Sequence, residues 1–265
     1  MPVIGRFRYL DAPACGERPL GTLVLVHAFP LNARMWQPQM GLNAHGWHVV
    51  APQLRGFDGG MGELPVTSID DYAGDVIDLL DALHLHDVVL GGLSMGGYVA
   101  FAVLRHAASR IRGLVLADTR AEADTPEAVA GRQRMLALLA DKGPASVADE
   151  MVPKLLAAST RTASPAIEAH VRDLILASQP DAIAGAIRAL MTRPDATPQL
   201  SAIHCPTLIV VGAQDTVTPP SLSEGMHGAI AGSELAVIPE AGHLSNLERP
   251  DAFNAALATF LRHRL

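Results

Sequence analysis

A serine framed by glycines is the feature of the sequence with the most specific chemical meaning. Residues 87–98 are DVVLGGLSMGGY, in which Gly92, Ser94 and Gly96 form a G-x-S-x-G motif. By itself this motif is often only a strand-to-helix loop. Here an apolar run precedes it and a helical pattern begins near Met95, and in that context the motif presents a nucleophile. We therefore predict that Ser94 lies on a tight turn, in which the glycines avoid Cβ collisions, and that it attacks an electrophilic carbonyl.

A serine hydroxyl needs a base to remove its proton, and the sequence offers 11 histidines. His243 has the best position, because it follows the last predicted strand and precedes the final helix, at the sheet edge where Ser94 is expected. His27 is expected to brace its own loop. Most of the others fall in turns, in helical stretches or near the chain end: His84, His86, His106, His170, His227 and His263. We therefore predict that His243 is the general base.

An aspartate beyond a neighbouring strand would complete such a site. Asp215 follows the apolar run TLIVV at 207–211, and the resulting chain order of serine, aspartate and histidine is an established one. Asp118 is a rival, since it also ends a strand, and Asp215 could instead be a simple turn or helix N-cap residue. We prefer Asp215 because it closes the strand expected to carry the acid. It should accept the Nδ1 hydrogen of His243 and fix the tautomer of the ring.

Acyl transfer also places negative charge on a carbonyl oxygen, which backbone N–H groups stabilise. Met95 directly follows the nucleophile and is predicted to supply one N–H group. The second should come from the loop His27-Ala28-Phe29-Pro30. Because proline has no N–H, we predict that Phe29 is the donor.

The elements that must position these residues follow from hydrophobic patterning. Short apolar runs alternate with helical patterns, which predicts a doubly wound α/β sheet. The runs are nearly continuous, as expected for strands covered on both faces. Helices are predicted over Ile69–Leu83, with Ser68 or Thr67 as N-cap, and from Pro250 or Asp251 to Arg264. The predicted strands are Leu23–His27, Trp47–Ala51, Asp87–Leu90, Gly113–Ala117, Thr207–Val211 and Leu235–Ile238.

One stretch departs from the alternation. From about Thr125 to Arg193 no run resembles a strand, and several prolines stand where helices could begin. A single crossover between strands needs only about a dozen residues, so ordinary outer-layer helix explains this length poorly. We predict about four helices that form a cap. The expected division is a core of residues 1–120 and 196–265, with a helical cap at 121–195.

Composition excludes several classes of function. The net charge is −7 and no cluster of basic residues is present, which argues against nucleic-acid binding. Arg6 and Arg8 interrupt any apolar leader, and the apolar runs are too short to span a membrane. Cys15 and Cys205 imply no disulfide framework, and no cluster of metal ligands is evident. A cytoplasmic protein without a nucleic-acid or membrane partner is the expectation, and a homo-oligomer stays possible.

Four segments, taken in order, resemble the α/β-hydrolase superfamily over nearly the whole chain: VHAFP, GLSMGG, VVGAQDTVTP and EAGHLSNLERP. The resemblance is nearest to bacterial serine esterases and the 3-oxoadipate enol-lactonase group, on the segments from Gly242 to Pro250 and ADTRAEADTPE. It implies an α/β-hydrolase fold with a mostly parallel eight-stranded sheet flanked by helices and an all-helical cap inserted after the sixth strand. It also implies no cofactor, no metal, an acyl-enzyme intermediate and the catalytic set Ser94, Asp215 and His243.

Two segments depart from the pattern of that superfamily. His27-Ala28 stands where many members have His-Gly, and Gln53-Leu54-Arg55-Gly56 stands where many have Asp-x-Arg-Gly. The first departure bears on the oxyanion hole. Neither touches the catalytic set.

The leading hypothesis is a hydrolase of small carboxylic esters or lactones, with a cap pocket lined by apolar residues (Met135, Leu138, Leu139 and Leu190 as candidates). An enol-lactonase would need cations for a substrate carboxylate. Residues 120–195 contain nine basic and ten acidic side chains, a balance that favours neither side. C–C bond hydrolysis and perhydrolysis use the same catalytic set and stay open. So does a small-molecule receptor on the same fold.

Overall fold

The protein is described from a computed structural model, which covers residues 1–16, 19–57 and 66–265. Eight strands form one sheet in the order β1-β2-β4-β3-β5-β6-β7-β8. The pairs β1–β2 and β2–β4 are antiparallel, and all other neighbours are parallel. The predicted mostly parallel eight-stranded sheet is therefore confirmed. The strands are β1 (Val3–Ile4), β2 (Phe7–Ala12), β3 (Gly21–Val26), β4 (Trp47–Pro52), β5 (Val88–Leu93), β6 (Ile111–Ala117), β7 (Thr207–Gly212) and β8 (Glu234–Ile238).

Helices cover both faces of this sheet. The α-helices are α1 (Ile69–Ala82), α2 (Met95–Ala107), α3 (Pro126–Lys142), α4 (Pro144–Leu155), α5 (Ala158–Ala163), α6 (Pro165–Leu176), α7 (Pro180–Met191), α8 (Pro220–Ala229), α9 (Ser245–Glu248) and α10 (Pro250–Arg264). Segments of 3₁₀-helix span Ala33–His45, Ala108–Arg110 and Thr197–Ala202. Among the described residues, no helix combines the length and apolar character needed to cross a membrane.

Strand β3 explains why the apolar runs are continuous. Leu23 and Leu25 belong to the core on one face of the sheet, and Val24 and Val26 belong to the core on the other. All four side chains have no exposed surface. Burying such a side chain contributes roughly 1.5–3 kcal/mol relative to leaving it in water, so both faces of the strand stabilise the fold.

Helix α1 begins as its sequence predicts. The Ser68 hydroxyl accepts a hydrogen bond from the Asp71 amide at 3.3 Å, and the Asp71 carboxylate accepts one from the Ser68 amide at 2.9 Å. This reciprocal arrangement satisfies two N–H groups that the first turn leaves without partners. Of the two predicted candidates, Ser68 is the N-cap.

The residues between β6 and β7 form helices α3 to α7 and no strand. There are five α-helices in this fully described stretch, where the sequence predicts about four helices; the short α5 accounts for the difference. Sequence patterns also miss the 3₁₀-helix at Ala33–His45, which has weak periodicity and contains Pro38. The boundaries of the cap at 121 and 195 stay a prediction.

Candidate active site

Ser94 lies on the turn between β5 and α2 and has a strained backbone. Its φ of 54° and ψ of −113° fall in a region that non-glycine residues rarely adopt. The turn is possible because its neighbours are glycines. A Cβ atom on Gly92 would lie 2.1 Å from the backbone of Gly96, and one on Gly96 would lie 2.1 Å from the Val26 carbonyl oxygen. The sequence therefore forces the half-buried Ser94 side chain outward from the carboxyl end of the sheet.

His243 and Asp215 form a buried pair beside this turn. The distance from His243 Nδ1 to Asp215 Oδ2 is 2.8 Å, and both side chains are almost fully buried. Asp215 follows β7 and His243 follows β8, so adjacent parallel strands deliver the two residues to one edge of the sheet.

Thr218 completes the environment of the Asp215 carboxylate. Its hydroxyl donates to Asp215 Oδ2 at 2.7 Å, and the Val217 and Thr218 amides donate to Oδ1 at 2.8 and 3.0 Å. Burial opposes ionisation of Asp215, but the charge and hydrogen bond of His243 and the donors from Thr218 outweigh it, so the pKa of Asp215 is lowered. Sequence reasoning missed Thr218. The only signal was its place in an aspartate turn three residues after Asp215.

Ser94 and His243 line the same cavity, whose volume is about 80 Å³. Within the described part of the chain, their side chains form no direct hydrogen bond with each other. Phe29 and Met95 also line this cavity, and neither of their N–H groups has an acceptor among the described residues. The remaining lining residues are Tyr98, Arg120, Arg132, Met151, Leu155, Leu190, Val217 and Thr218. The structure thus places Ser94, His243, Phe29 and Met95, whose roles as nucleophile, base and oxyanion donors stay predictions, around one cavity.

The predicted pocket residues have different locations. Leu190 lines the inner cavity, whereas Met135 and Leu138 line a larger outer vestibule of about 570 Å³. Leu139 is buried in the core and lines neither space. Its inclusion was wrong, because neighbouring residues on a helix point in different directions and sequence alone did not fix the rotation of α3.

Asp118, the alternative acid, has other partners. Its Oδ1 accepts a hydrogen bond from the Gly212 amide at 2.8 Å, and its Oδ2 accepts one from the Ser245 hydroxyl at 2.5 Å. Burial, together with the negative charge of Asp215, raises the pKa of Asp118 well above its ordinary value. Asp118 therefore connects the end of β7 to the segment after β8 through hydrogen bonds, and it does not contact His243.

His27 has a structural environment that agrees with the predicted bracing of its loop. Its Nδ1 lies 3.0 Å from the Ala28 carbonyl oxygen, and its Nε2 accepts a hydrogen bond from the Leu54 amide at 3.2 Å. Complete burial disfavours the charged ring and lowers the pKa of His27 to about 4, despite the opposing hydrogen bond to Ala28. A neutral ring with hydrogen on Nδ1 satisfies both contacts.

The loop before His243 is also attached to the inserted helices. The two carboxylate oxygens of buried Glu248 accept hydrogen bonds from the Gly242 amide at 2.8 Å and from the Ala157 amide at 2.9 Å. The Leu244 amide donates to the Leu155 carbonyl oxygen at 3.2 Å. Sequence reasoning did not identify Glu248. These contacts hold the α4–α5 junction against the segment that carries His243.

The mostly parallel sheet, its covering helices and the helices inserted after β6 are the architecture of an α/β hydrolase. The model of the Alpha/beta hydrolase family matches residues 23–256, and the chain belongs to this family.

Individual relatives narrow the comparison. 3-Oxoadipate enol-lactonase 2 of Acinetobacter baylyi is 28% identical over 96% of this chain and 93% of its own length. A thermophilic esterase from Thermogutta terrifontis matches 97% of this chain and 93% of its own chain, with a TM-score of 0.89 and 39% identity. The enol-lactonase from Burkholderia xenovorans LB400 matches 97% of this chain and 96% of its own chain, with a TM-score of 0.88 and 27% identity. The chain is thus similar to both esterases and enol-lactonases, as the sequence motifs predicted.

Proposed function

We propose that the protein is a carboxylic-ester hydrolase that cleaves small esters or lactones through an acyl-enzyme on Ser94. The observation that carries the proposal is the 2.8 Å contact between Asp215 and His243, beside a cavity that His243 shares with Ser94. An imidazole oriented by a carboxylate is the general base that a serine nucleophile requires. The relatives described as esterases and enol-lactonases support the same class of reaction.

In the first step, His243 Nε2 takes the proton of the Ser94 hydroxyl as its oxygen attacks the ester carbonyl. Asp215 keeps the Nδ1 hydrogen in place and stabilises the imidazolium that forms. The carbonyl oxygen becomes an oxyanion, which the N–H groups of Phe29 and Met95 bind. Both are free to donate within the described part of the chain. A hydrogen bond from Ser94 to His243 is expected to tighten when substrate binds, as is common in catalytic sites.

The tetrahedral intermediate then collapses. The bond from the acyl carbon to the leaving oxygen breaks, and the proton held by His243 passes to that oxygen, which leaves the acyl group on Ser94. In the second step His243 takes a proton from water, whose oxygen attacks the acyl carbon. Collapse of this intermediate releases the carboxylic acid and returns the proton to Ser94. A lactone follows the same course, except that its alcohol and acid remain in one molecule.

The size and lining of the cavity favour a short acyl chain. The cavity has a volume of only about 80 Å³, and Leu155 and Leu190 line it on the side of the inserted helices. We therefore expect p-nitrophenyl acetate and butyrate to be cleaved faster than the octanoate. A higher kcat/KM for octanoate would show that the acyl chain occupies a different space.

Substitution at Ser94 tests the chemistry. The Ser94→Ala variant should lose p-nitrophenyl acetate hydrolysis and labelling by a fluorophosphonate probe. Ser221→Ala is the matched control, because Ser221 is exposed on α8. A folded wild-type protein that neither reacts with the probe nor turns over any ester would instead support a role as a small-molecule receptor.

A further inference from the structure

Three arginines surround a single buried carboxylate at the rim of the inner cavity. Asp124 has no exposed side-chain surface and contacts Arg120 at 2.7 Å, Arg193 at 2.6 Å and Arg132. Arg120 lies in the loop after β6, and Arg132 lies on α3. Arg193 lies two residues after the end of α7. The cluster cannot be recognised from neighbouring residues in the sequence, because the fold brings together arginines from separate segments.

The charges in this cluster do not balance. Burial opposes ionisation of Asp124, but hydrogen bonds and charge from Arg132 and Arg193 outweigh it and lower the pKa of Asp124. Its single negative charge compensates one guanidinium. Arg193 is 2% exposed and is also held by the carbonyl oxygens of Leu190 and Glu122. Arg193 also lies near the exposed carboxylate of Asp195, whereas Arg120 and Arg132 share Asp124 and form no ion pair with a second carboxylate among the described residues.

The surplus positive charge faces the space beside Ser94. Arg120 and Arg132 line the inner cavity together with Ser94 and His243, and both also line the outer vestibule. Each side chain is only 21% exposed. Arg132 uses its Nε for Asp124, and neither of its Nη atoms has a protein partner in the described structure. Arg120 Nε is buried with no hydrogen-bond partner. The Nη donors of Arg132 are therefore available to a ligand in the cavity or the vestibule.

We propose that Arg120 and Arg132 bind a carboxylate group carried by the substrate, so that the enzyme prefers esters or lactones with a free acid on a short chain. This inference rests on the proposed function. Binding the carboxylate at the vestibule would orient the carbonyl group of the same substrate toward Ser94. A guanidinium fork matches the two oxygens of a carboxylate, and charge-assisted hydrogen bonds are stronger in a partly buried site than in water.

Other charged groups around the vestibule do not cancel this preference. Glu150 is paired with Lys154 at 3.0 Å. Arg134 lines only the vestibule and adds a further exposed positive charge. A carboxylate at the junction would thus meet Arg120 and Arg132 directly, while Arg134 contributes only a screened long-range attraction.

A set of three substrates tests the proposal on the wild-type protein. Ethyl hydrogen succinate carries the carboxylate, ethyl succinamate replaces it with a neutral amide of nearly the same shape, and ethyl butanoate lacks the polar end. We expect kcat/KM for the hemi-ester to exceed that for the amide by about 10- to 100-fold, the range of hydrogen bonds to charged groups. Equal values for the acid and the amide would overturn the subsite while leaving the esterase intact. Failure to cleave any of the three would instead refute the proposed function.

Substitutions then assign the preference to particular arginines. Arg132→Gln should remove most of the advantage in kcat/KM of the hemi-ester over ethyl succinamate, chiefly through KM for the hemi-ester. Arg134→Gln is the matched control and should preserve the preference. An equal loss in both variants would mean that general positive charge, and not the pair at the cavity, selects the substrate. Should Arg132→Gln fail to fold because Asp124 loses a partner, inhibition of wild-type p-nitrophenyl acetate hydrolysis by glutarate, compared with glutaramide, decides the question. Equal inhibition by the two would count against the subsite.

Discussion

The Ser245 hydroxyl donates a 2.5 Å hydrogen bond to the carboxylate of Asp118, a residue 127 positions earlier in the chain. The second oxygen of Asp118 accepts from the Gly212 amide at 2.8 Å. Gly212 precedes Asp215 by three residues, and Ser245 follows His243 by two. One buried side chain therefore connects the segment that carries the proposed acid to the segment that carries the proposed base.

Replacing Asp118 should weaken both the fold and the site. Asp118→Ala leaves the buried Gly212 amide without its acceptor, which costs about 1–3 kcal/mol of unfolding free energy. It should also lower kcat, because the two connected segments lose their shared contact. Asp118→Asn can still accept from Gly212 and can donate to the Ser245 oxygen, so most activity should remain. Chemical denaturation and ester kinetics on the two variants check this; an Asn variant as inactive as the Ala variant would contradict it.

The effect of Asp118→Asn on the unfolding free energy should depend on pH. Burial and the charge of Asp215 raise the pKa of Asp118 in the folded state above its unfolded value. The folded protein then binds a proton more readily than the unfolded chain, and this stabilisation is lost as pH rises through the folded pKa. Asp118→Asn has no such ionisation. The unfolding free energy of Asp118→Asn minus that of the wild type should therefore increase with pH. A difference that stays constant from pH 4 to pH 9 would argue against the raised pKa.

Asp215→Asn should lower kcat strongly while the protein still folds. An amide cannot accept the Nδ1 hydrogen in the way that the carboxylate does, so His243 loses the tautomer and the stabilised imidazolium that the reaction needs. By analogy with other serine hydrolases, kcat should fall by about 10⁴-fold. Thr218→Val is the comparison, because it removes the hydroxyl contacts to Asp215 Oδ2 at 2.7 Å and to His243 Nδ1 at 3.3 Å but keeps the carboxylate. Its effect should be far smaller, and comparable losses in the two variants would show that Asp215 has no special role.

His27 should make the protein less stable in mild acid. Its folded pKa of about 4 is below the ordinary value of 6.5, so the unfolded chain binds the proton more readily. The stabilising neutral state is complete above pH 6.5 and is lost as pH falls toward 4, at a total of about 3 kcal/mol. His27→Gln should show a shallower decline in unfolding free energy over that interval. His86→Gln alters an exposed histidine and should decline like the wild type; parallel curves for all three proteins would refute the prediction.

Alanine at the turn glycines should be poorly tolerated. A Cβ on Gly92 or Gly96 would lie 2.1 Å from backbone atoms, and relieving such overlap costs about 1–3 kcal/mol or more. Gly92→Ala and Gly96→Ala should therefore lose both stability and ester hydrolysis. Gly74→Ala in α1 is the control, because outside its chain neighbours and the adjacent backbone of α1 no atom lies within 4 Å of the added Cβ. Helix propensity should make that variant about 0.5–1 kcal/mol more stable, and thermal unfolding distinguishes the cases.

The sequence predicts the fold correctly where a residue pattern is compatible with only one kind of structure. The continuous apolar runs require strands covered on both faces, and Leu23 to Val26 show this arrangement. The proximity of Ser94 to His243 also follows, since each stands beyond a parallel strand. Strand β2 was not predicted because its residues alternate, with Phe7 and Tyr9 buried and Arg8 exposed, whereas the prediction relied on continuous apolar runs.

The parts of the site that could not be predicted depend on distance in three dimensions. Arg120 and Arg193 are 73 positions apart and meet only through Asp124. Counting charges over residues 120–195 gave a balance, whereas burial of Asp124 and Arg193 leaves an excess of positive charge at the cavity. Glu248 was missed for a related reason. Its partner amide at Ala157 is recognisable only once the inserted helices are packed against the core.

The two hydrogen bonds of Glu248 also limit how the enzyme can diversify. Any displacement of the α4–α5 junction at Ala157 would transmit strain to the Gly242 peptide, and from there to the imidazole next to it. Mutations that adapt the protein to new substrates are consequently easier to accommodate at exposed positions of α3 that line the vestibule, such as Arg134. The inserted helices thus comprise a junction that is anchored to the segment carrying His243 and exposed positions that lack this constraint.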